Sequence, residues 1–330
     1  MVFGAGAVGG VVGGRLHQHG HEVVLIARGD HLREIRRSGL RIESPADVVT
    51  VEVPAVERPA EVEWRDDDIV LLATKTQDTG AALVALAAVA PDGIDLACAQ
   101  NGVENERATL RRFRNVYGVH VMLPAAHLEP GVVQTSSAPV TGLLDIGRYP
   151  QGADDTARRV SAVFNASSFD SRAVADVMRW KYRKLIMNLG NAVEALIEPG
   201  AGHNEIAARA EAEGEACLRA AGIDFASREE DRARRGTLMR LGPIRGRERA
   251  GGSSWQSLAR GAGTIEADYL NGEIVLLGRL HGFPTPVNEA LQRLANRWAS
   301  EHRAPGTMTA EEFERALAAA GEHGVGSRGP

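Results

Sequence analysis

An α/β fold, with a doubly wound parallel sheet followed by an all-helical C-terminal domain, is what three observations in the 330-residue sequence predict. Four apolar runs in the first half, "VFGAG", "EVVLIAR", "DIVLLAT" and "IDLACAQ", are near-continuous in Val, Ile, Leu and Ala, as strands buried on both faces are. Helical stretches at residues 9–19, 79–89 and 104–114 separate them, and strands separated by helices make βαβ units. From residue 176 to 280, and again over 288–302, the pattern is helical without strand-like alternation. The boundaries that follow are 1–172 for the α/β domain, 173–320 for the helical domain and 321–330 for a Gly-rich tail expected to be disordered.

Within the first domain, residues 130–150 ("PGVVQTSSAPVTGLLDIGRYP") read as further strands with turns. A helix at 154–164 and a last strand at 168–172 follow. "LGPIRGRERAGGSS" reads as a loop inside the helical domain. The net charge of −5 lacks the basic excess of nucleic-acid or membrane-surface binders, so neither partner is expected. Cys98 and Cys217 stand far apart and make neither a disulfide framework nor a metal set, which points to a reducing cytoplasm. No segment approaches the ~20 continuous apolar residues of a membrane span, and no secretory leader is read at the start. The first strand is only three or four residues long, as a trimmed or late-assigned start would leave it.

"GAGAVG" follows that strand and opens a helix. Gly4 permits the tight turn, Gly6 lets a pyrophosphate approach the backbone, and Gly9 lets the helix pack closely on the sheet. Ala5, Ala7 and Val8 complete a cofactor-binding loop that puts phosphates at the helix N-terminus. Such a glycine pattern is weak alone, but here it has a strand before it, a helix after it and a second strand about 20 residues on. The sheet is therefore expected to be of Rossmann type. At the end of the second strand, "VVLIARGD", an NAD-binding protein carries a carboxylate for the ribose 2′-hydroxyl. Arg28 stands there instead and suits a 2′-phosphate, which favours NADP; Asp30 is the competing candidate, two residues further on. Lys75 in "TKTQ" and Asn101 in "AQNGVEN" follow later strands and fall in the ligand crevice. Their bland alternatives are a solvated lysine and an ordinary Asn-Gly turn.

"RWKYRKLIMNLGNAVEAL" reads as one helix with Tyr182, Leu185, Ile186, Leu189, Val193 and Leu196 as its core stripe. Lys184, Asn188 and Asn191 lie opposite, within about 60° of one another, flanked by Trp180 and Met187. Two asparagines beside a tryptophan suggest a polar pocket rather than a plain solvent face. "TIEADYLNGEIVLLGRLHG" also reads as one helix, with Leu270, Ile274, Leu277 and Leu280 buried and Asp268 and Arg279 opposite. Glu266 falls in line with the apolar stripe and Glu273 shares its side. Upstream, Ser253 and Ser254 read as a helix N-cap. A buried carboxylate needs a partner, and Lys184 is a natural one, but helical geometry does not choose between the two glutamates.

Taken together, these residues resemble the ketopantoate reductase family (2-dehydropantoate 2-reductases), over nearly the whole chain from Gly4 to Ala295. The resemblance is carried by Gly4-Ala5-Gly6-Ala7-Val8-Gly9, by Asn101-Gly102, by the spacing Trp180/Lys184/Asn188/Asn191, by Ser253-Ser254 followed by "TIEADYLNG", and by "HGFPTPVN". It implies NADPH as cofactor and reduction of ketopantoate to pantoate on the route to coenzyme A. It selects Glu266 as the acid and implies that Lys184 is the general acid that protonates the ketone oxygen. Glu266 would anchor that lysine and a substrate hydroxyl, Ser254 the substrate carboxylate, and Asn101, Asn188 and Asn191 the substrate and nicotinamide ribose. The expected partner is a small-molecule 2-oxo acid, with a homodimer compatible.

The chain departs from the family in two places. The second helix asparagine usually follows the lysine by eight residues, whereas Asn191 follows Lys184 by seven. On an ideal helix, seven residues is about 20° from the lysine and eight about 80°. "GVHVMLPAAHLEPG" replaces the more usual Thr/His-containing wall; His120 and His127 are candidates to line substrate there, although each type is more often found in turns or on the surface. Two other readings remain: a reductase of another small 2-oxo acid or ketone, and a catalytically silent NADP-binding regulatory protein. Retention of both Lys184 and Glu266 counts against the second. "HQHGH" (His17, His19, His21) spans a helix end and a turn, and no metal is expected.

Overall fold

A computed structural model describes residues 1–246 and 251–325, with side chains to residue 319. The chain divides into two compact units, Met1–Arg183 with Ala226–Arg249, and Lys184–Phe225 with Ala250–Pro330.

The strands of the first unit are β1 (Val2–Phe3), β2 (Leu25–Ile26), β3 (Leu40–Glu43), β4 (Val48–Val51), β5 (Ala55–Val56), β6 (Ile69–Leu72), β7 (Asp95–Cys98), β8 (Asn115–Met122), β9 (Ala125–Ala126), β10 (Val132–Thr135), β11 (Ser137–Pro139), β12 (Leu143–Arg148) and β13 (Met239–Leu241). Seven of them form the main sheet in the order β12-β8-β7-β6-β1-β2-β5. The pairs from β8 to β5 are parallel, joined by helices that include α1 (Ala7–Gln18), α2 (Gly29–Ser38), α3 (Thr79–Ala87) and α4 (Asn105–Leu110). The edge strand β12 is antiparallel to β8, so the expected parallel sheet carries one reversed strand. No helix links β8 to β12; short strands do, and an antiparallel neighbour needs no helical crossover.

Alternation along the central strands explains the apolar runs. Val2, Leu25, Leu71 and Ala97 enter one core, while Phe3, Ile26, Val70, Leu72, Leu96 and Cys98 enter the other. Both faces of the sheet are buried. A second sheet, ordered β4-β3-β10-β9, is a feature the sequence reading missed. Helix α1 packs against both sheets: a Cβ at Gly13 would lie 2.5 Å from Leu25 Cδ2, and one at Gly14 would lie 2.6 Å from Ile42 Cδ1. The strand expected at 168–172 is reduced to two isolated bridges, Leu143 with Asp170 and Ile146 with Ala173. Helix α5 (Asp155–Asn165) has the expected position and begins at Asp154, whose carboxylate accepts from the Ala157 N–H.

Helix α6 (Val177–Asn188) carries the chain into the second unit, followed by α7 (Gly190–Leu196) and α8 (Ala201–Ala220). Helix α9 (Arg228–Arg235) and β13 belong to the first unit again, where β13 pairs with β11. The Gly/Arg-rich stretch therefore starts from the first unit, and its residues 247–250 lie outside those described. Nothing apolar marks α9 as a packing helix. Its anchor is Arg234, which donates to both carboxylate oxygens of Asp145 at 2.8 and 2.6 Å and also pairs with Asp170.

The second unit continues with α10 (Ser253–Ala259), a 3-10 turn (Glu266–Tyr269), α11 (Asn271–His281), α12 (Pro286–Ser300) and α13 (Ala310–Val325). Two expected helices are broken. "RWKYRKLIMNLGNAVEAL" divides at Leu189, whose N–H donates to Ile186 O. Residues 264–282 divide at Leu270, which leaves helical geometry at φ −113° and ψ −89°. Leu270, Ile274 and Leu277 are buried as expected, Val275 joins them, and Leu280, in the last turn of α11, is 67% exposed. Helix α13 runs into the tail expected to be disordered; residues 326–330 lie outside those described. Among the described residues no helix is long and apolar enough to cross a membrane.

Candidate active site

The glycine loop turns β1 into α1. Gly4 has φ +99°, and a Cβ there would sit 2.8 Å from Thr74 N. A Cβ on Gly9 would fall 2.1 Å from Gly4 O. Packing therefore dictates both glycines. Gly6 is different: nothing lies within 4 Å of where its Cβ would be, and no side chain caps the first turn of α1. Open space in front of uncapped N–H groups at the positive end of a helix is a cradle for an anion. Ala5 is buried beneath the loop, its N–H bonded to Ile26 O, while Ala7 and Val8 are half-buried in the first turn.

Lys75 and Asn101 follow β6, which neighbours β1 in the sheet, and β7, the next strand beyond it. Both are half-buried. Chain order reverses beside β1, so this edge is the topological switch point where ligands bind in such sheets. Arg28 is exposed, two residues beyond β2, at the start of α2. Its rival Asp30 is exposed on α2 and pairs with Arg33.

His31 and His127 lie behind the loop. The His31 ring donates from Nε2 to Ala5 O at 2.8 Å and accepts the Gly131 N–H at Nδ1, 2.9 Å away. The two bonds fix its neutral tautomer. Burial, then the neighbouring His127 ring 4.1 Å away, push its pKa down to about 4. His127 packs on the His31 ring and bonds Val132 O through Nδ1. His120 is neither in a turn nor on the surface; it is buried in β8, its Nδ1 3.8 Å from Asp145 Oδ2. Burial pushes the Asp145 carboxyl up, but Arg234 and His120 hold it below the usual range.

A buried ion pair escaped the sequence reading. Lys181 Nζ lies 2.5 Å from Glu106 Oε1, with the two side chains 3% and 0% exposed. Burial pushes the Glu106 carboxyl up, opposed by Lys181. Burial, with Glu106 next, also raises the Cys98 thiol to about 12. The only signal in the sequence was a second lysine one turn before Lys184.

The remaining candidates lie within the second unit. Lys184 is half-buried and Asn188 buried, one turn apart on α6. Asn191 follows the break at Leu189, so the ideal-helix angle between it and Lys184 does not apply. Gly252, not a serine, is the N-cap of α10; its N–H donates to Glu194 of α7 at 2.8 Å. A Cβ on Gly252 would lie 3.4 Å from Asn191 Oδ1. Ser254 is buried in the first turn of α10 beside this contact. Glu266 is 5% exposed and opens the 3-10 turn, whereas Glu273 is half-buried in the first turn of α11. The turn removes the shared helical face that made the two acids equivalent.

Asn271, five residues after Glu266, fastens this segment. Its Nδ2 donates to Leu189 O at 3.2 Å and to Asn288 Oδ1 at 2.9 Å. Asn288 donates in turn to Ala210 O and to Glu213. Asn271 in "TIEADYLNG" and Asn288 in "HGFPTPVN" thus hold helices together, and Asn271 satisfies a carbonyl at the helix break. The second unit carries Lys184 and Asn188 on α6, Asn191 on α7 just past the Leu189 break, Ser254 on α10 and Glu266 five residues before Asn271.

A parallel α/β sheet with a glycine loop and an open helix start beside its switch point, carried on one chain with a helical unit, is the architecture of dinucleotide-binding proteins. The ketopantoate reductase PanE/ApbA profile matches residues 1–151, and the ketopantoate reductase PanE/ApbA C-terminal profile matches residues 176–298. The chain belongs to the ketopantoate reductase family. The 2-dehydropantoate 2-reductase of Halobacterium salinarum is 31% identical over 313 residues, covering 90% of this chain and 98% of that protein. That of Pyrococcus horikoshii is 30% identical over 203 residues, a match spanning 60% of this chain and 63% of the relative. The crystal structure of a PanE/ApbA family ketopantoate reductase from Ralstonia eutropha JMP134 is 29% identical, with a TM-score of 0.76 over 92% of this chain and 99% of that one.

Proposed function

We propose that the protein reduces 2-dehydropantoate to pantoate with NADPH. The observation that carries the reading is the open, uncapped helix start at Gly6, in a chain whose second unit also holds Lys184, Asn188, Asn191 and the buried Ser254 and Glu266. The loop Gly4–Gly9 would hold the pyrophosphate, and Arg28 the 2′-phosphate, its guanidinium exposed while Asp30 is engaged by Arg33. Lys75 and Asn101 would complete the cofactor crevice. When bound, the nicotinamide supplies the hydride.

Lys184 donates the proton to the ketone oxygen, its ammonium stabilising the negative charge that develops there. Glu266 keeps that lysine charged and oriented and accepts from a substrate hydroxyl, Ser254 binds the substrate carboxylate, and Asn188 and Asn191 orient the substrate. In this reading the α/β domain of residues 1–172 binds cofactor and the helical domain of 173–320 binds substrate and carries catalysis. A cytoplasmic place on the route to coenzyme A, a homodimer being compatible, goes with it. Asn191, seven residues after Lys184, favours a second reading in which another small 2-oxo acid is the substrate.

The test is NADPH and NADH oxidation by the purified protein against ketopantoate and a panel of small 2-oxo acids. Ketopantoate with NADPH is expected to give the highest kcat/KM, and Lys184→Ala to lower kcat by about two orders of magnitude. No turnover with any 2-oxo acid, or a Lys184→Ala enzyme within a few-fold of the parent, would overturn the reading.

A further inference from the structure

Beneath the cofactor crevice, four residues tie the loops after β6 and β7 together. Gln100 Nε2 donates to Thr74 O at 3.0 Å and to Thr79 Oγ1 at 2.8 Å. Thr79 donates to Asn105 Oδ1 at 2.8 Å, and Asn105 Nδ2 donates to Asn101 O at 3.0 Å and to Thr76 Oγ1 at 3.2 Å. The turn holding Lys75 and the turn holding Asn101 are thus cross-linked from below. The Lys181 ammonium caps this network, donating to Gln100 O at 2.9 Å while it pairs with Glu106.

A buried ion pair needs a reason. Replacing such a pair with apolar groups is often neutral or stabilising, so stability alone is weak grounds for keeping it. Here the lysine has a second partner, a main-chain carbonyl one residue before Asn101, which an apolar side chain would leave buried and unbonded. The fold also makes room for the pair. A Cβ at Gly118 in β8 would lie 3.4 Å from both Glu106 Oε1 and Lys181 Cδ.

We propose that Lys181, charged and oriented by Glu106, is a positioning residue of the cofactor crevice, pinning the chain at Gln100 and so setting Asn101 and the turn that carries Lys75. The proposal rests on the dinucleotide-binding reading above and extends it to residues that need not touch the cofactor. Lys181→Met removes the pin and leaves Glu106 a buried acid. The double variant Lys181→Met/Glu106→Gln also removes the uncompensated charge but still leaves Gln100 O without its donor. A purely structural pair and a positioning pair therefore differ in what the double variant restores.

The experiment measures NADPH binding by its fluorescence change, without substrate, beside Tm, for the wild type, the single variant and the double variant. Lys181→Met is expected to lower Tm and to raise the NADPH Kd about tenfold or more, the scale of one lost hydrogen bond from a charged donor. The double variant is expected to recover Tm but not Kd. A double variant that recovers both would show the pair to be structural only and overturn the proposal. So would a Kd unchanged in both variants, with the wild type binding normally. A wild type that does not bind NADPH would overturn the functional reading itself, and this proposal with it.

Discussion

Glu266 shows how one residue's surroundings decide its role. It is 5% exposed and opens a 3-10 turn, whereas Glu273 is half-buried on the helix beyond the Leu270 break. Were Glu266 only a misplaced core acid, removing its charge would be neutral or stabilising. As part of the site, Glu266→Gln is expected to lose turnover and substrate affinity with the fold intact, and Glu273→Gln to lose neither. Steady-state kinetics beside melting temperatures separate the outcomes, and a silent Glu266→Gln would sink the assignment. His31 makes a second prediction, one of pH. Its pKa is about 4 when folded, against the ordinary value of 6.5, so the unfolded chain binds the extra proton first. The stability contributed by neutral His31 is complete above the unfolded pKa and is lost as pH falls from 6.5 towards 4. Wild type is expected to lose about 1.4 kcal/mol per pH unit more than His31→Gln in that window. Parallel denaturation midpoints for the two proteins would refute this. At this scale, the glycines were legible, because a strand, a tight turn and a helix leave a local signature. Lys181 was not, because its partner Glu106 lies 75 residues away and nothing in either neighbourhood announces the pairing.

Elements were legible where one period ran unbroken, and misread where the chain changed course within a run. Asn271 answers a carbonyl at the Leu189 break through a contact between segments far apart in sequence, and Leu270 leaves helical geometry at the second break. A periodicity count passes over such breaks because the apolar residues on either side still look in register. The second sheet was missed for a related reason: its strands are short, and β4 is largely exposed. The first turn of α1 offers a sharp comparison of two glycines. Gly6→Ala meets nothing within 4 Å at an ordinary φ of −69°, so it is expected to fold with an unchanged Tm and yet bind NADPH weakly. Gly9→Ala drives a methyl to 2.1 Å from a backbone oxygen and is expected to lower Tm by several degrees as well as impair binding. Equal behaviour of the two in thermal melts and cofactor titrations would mean that the loop does not divide its glycines in this way.

At the scale of the whole molecule, the alternation of buried strands and helices made the first half readable, because a sheet covered on both faces leaves that pattern in one continuous stretch. Assignment of residues 226–249 to the first unit was hidden, since α9 is almost wholly charged and its anchoring contact is the buried pair of Arg234 with Asp145. Arg234→Met strands the Asp145 carboxylate, 1% exposed, and is expected to cost about 3–5 kcal/mol in denaturant unfolding. A loss below 1 kcal/mol would mean that water reaches that carboxylate easily.

The return of α9 and β13 to the first unit also sets a timetable for biosynthesis. Domains commonly fold in the order in which the ribosome delivers them. Here the first unit cannot close on that schedule, for the guanidinium that neutralises Asp145 is translated 89 residues later, after α6, α7 and α8 have been made. The nascent chain must hold an unfinished sheet edge while part of the second unit emerges. The two halves are bound to mature together, and a chain ending at Arg183 would leave the Asp145 carboxylate of the edge strand with only His120 and the Arg172 N–H as partners, without its arginine.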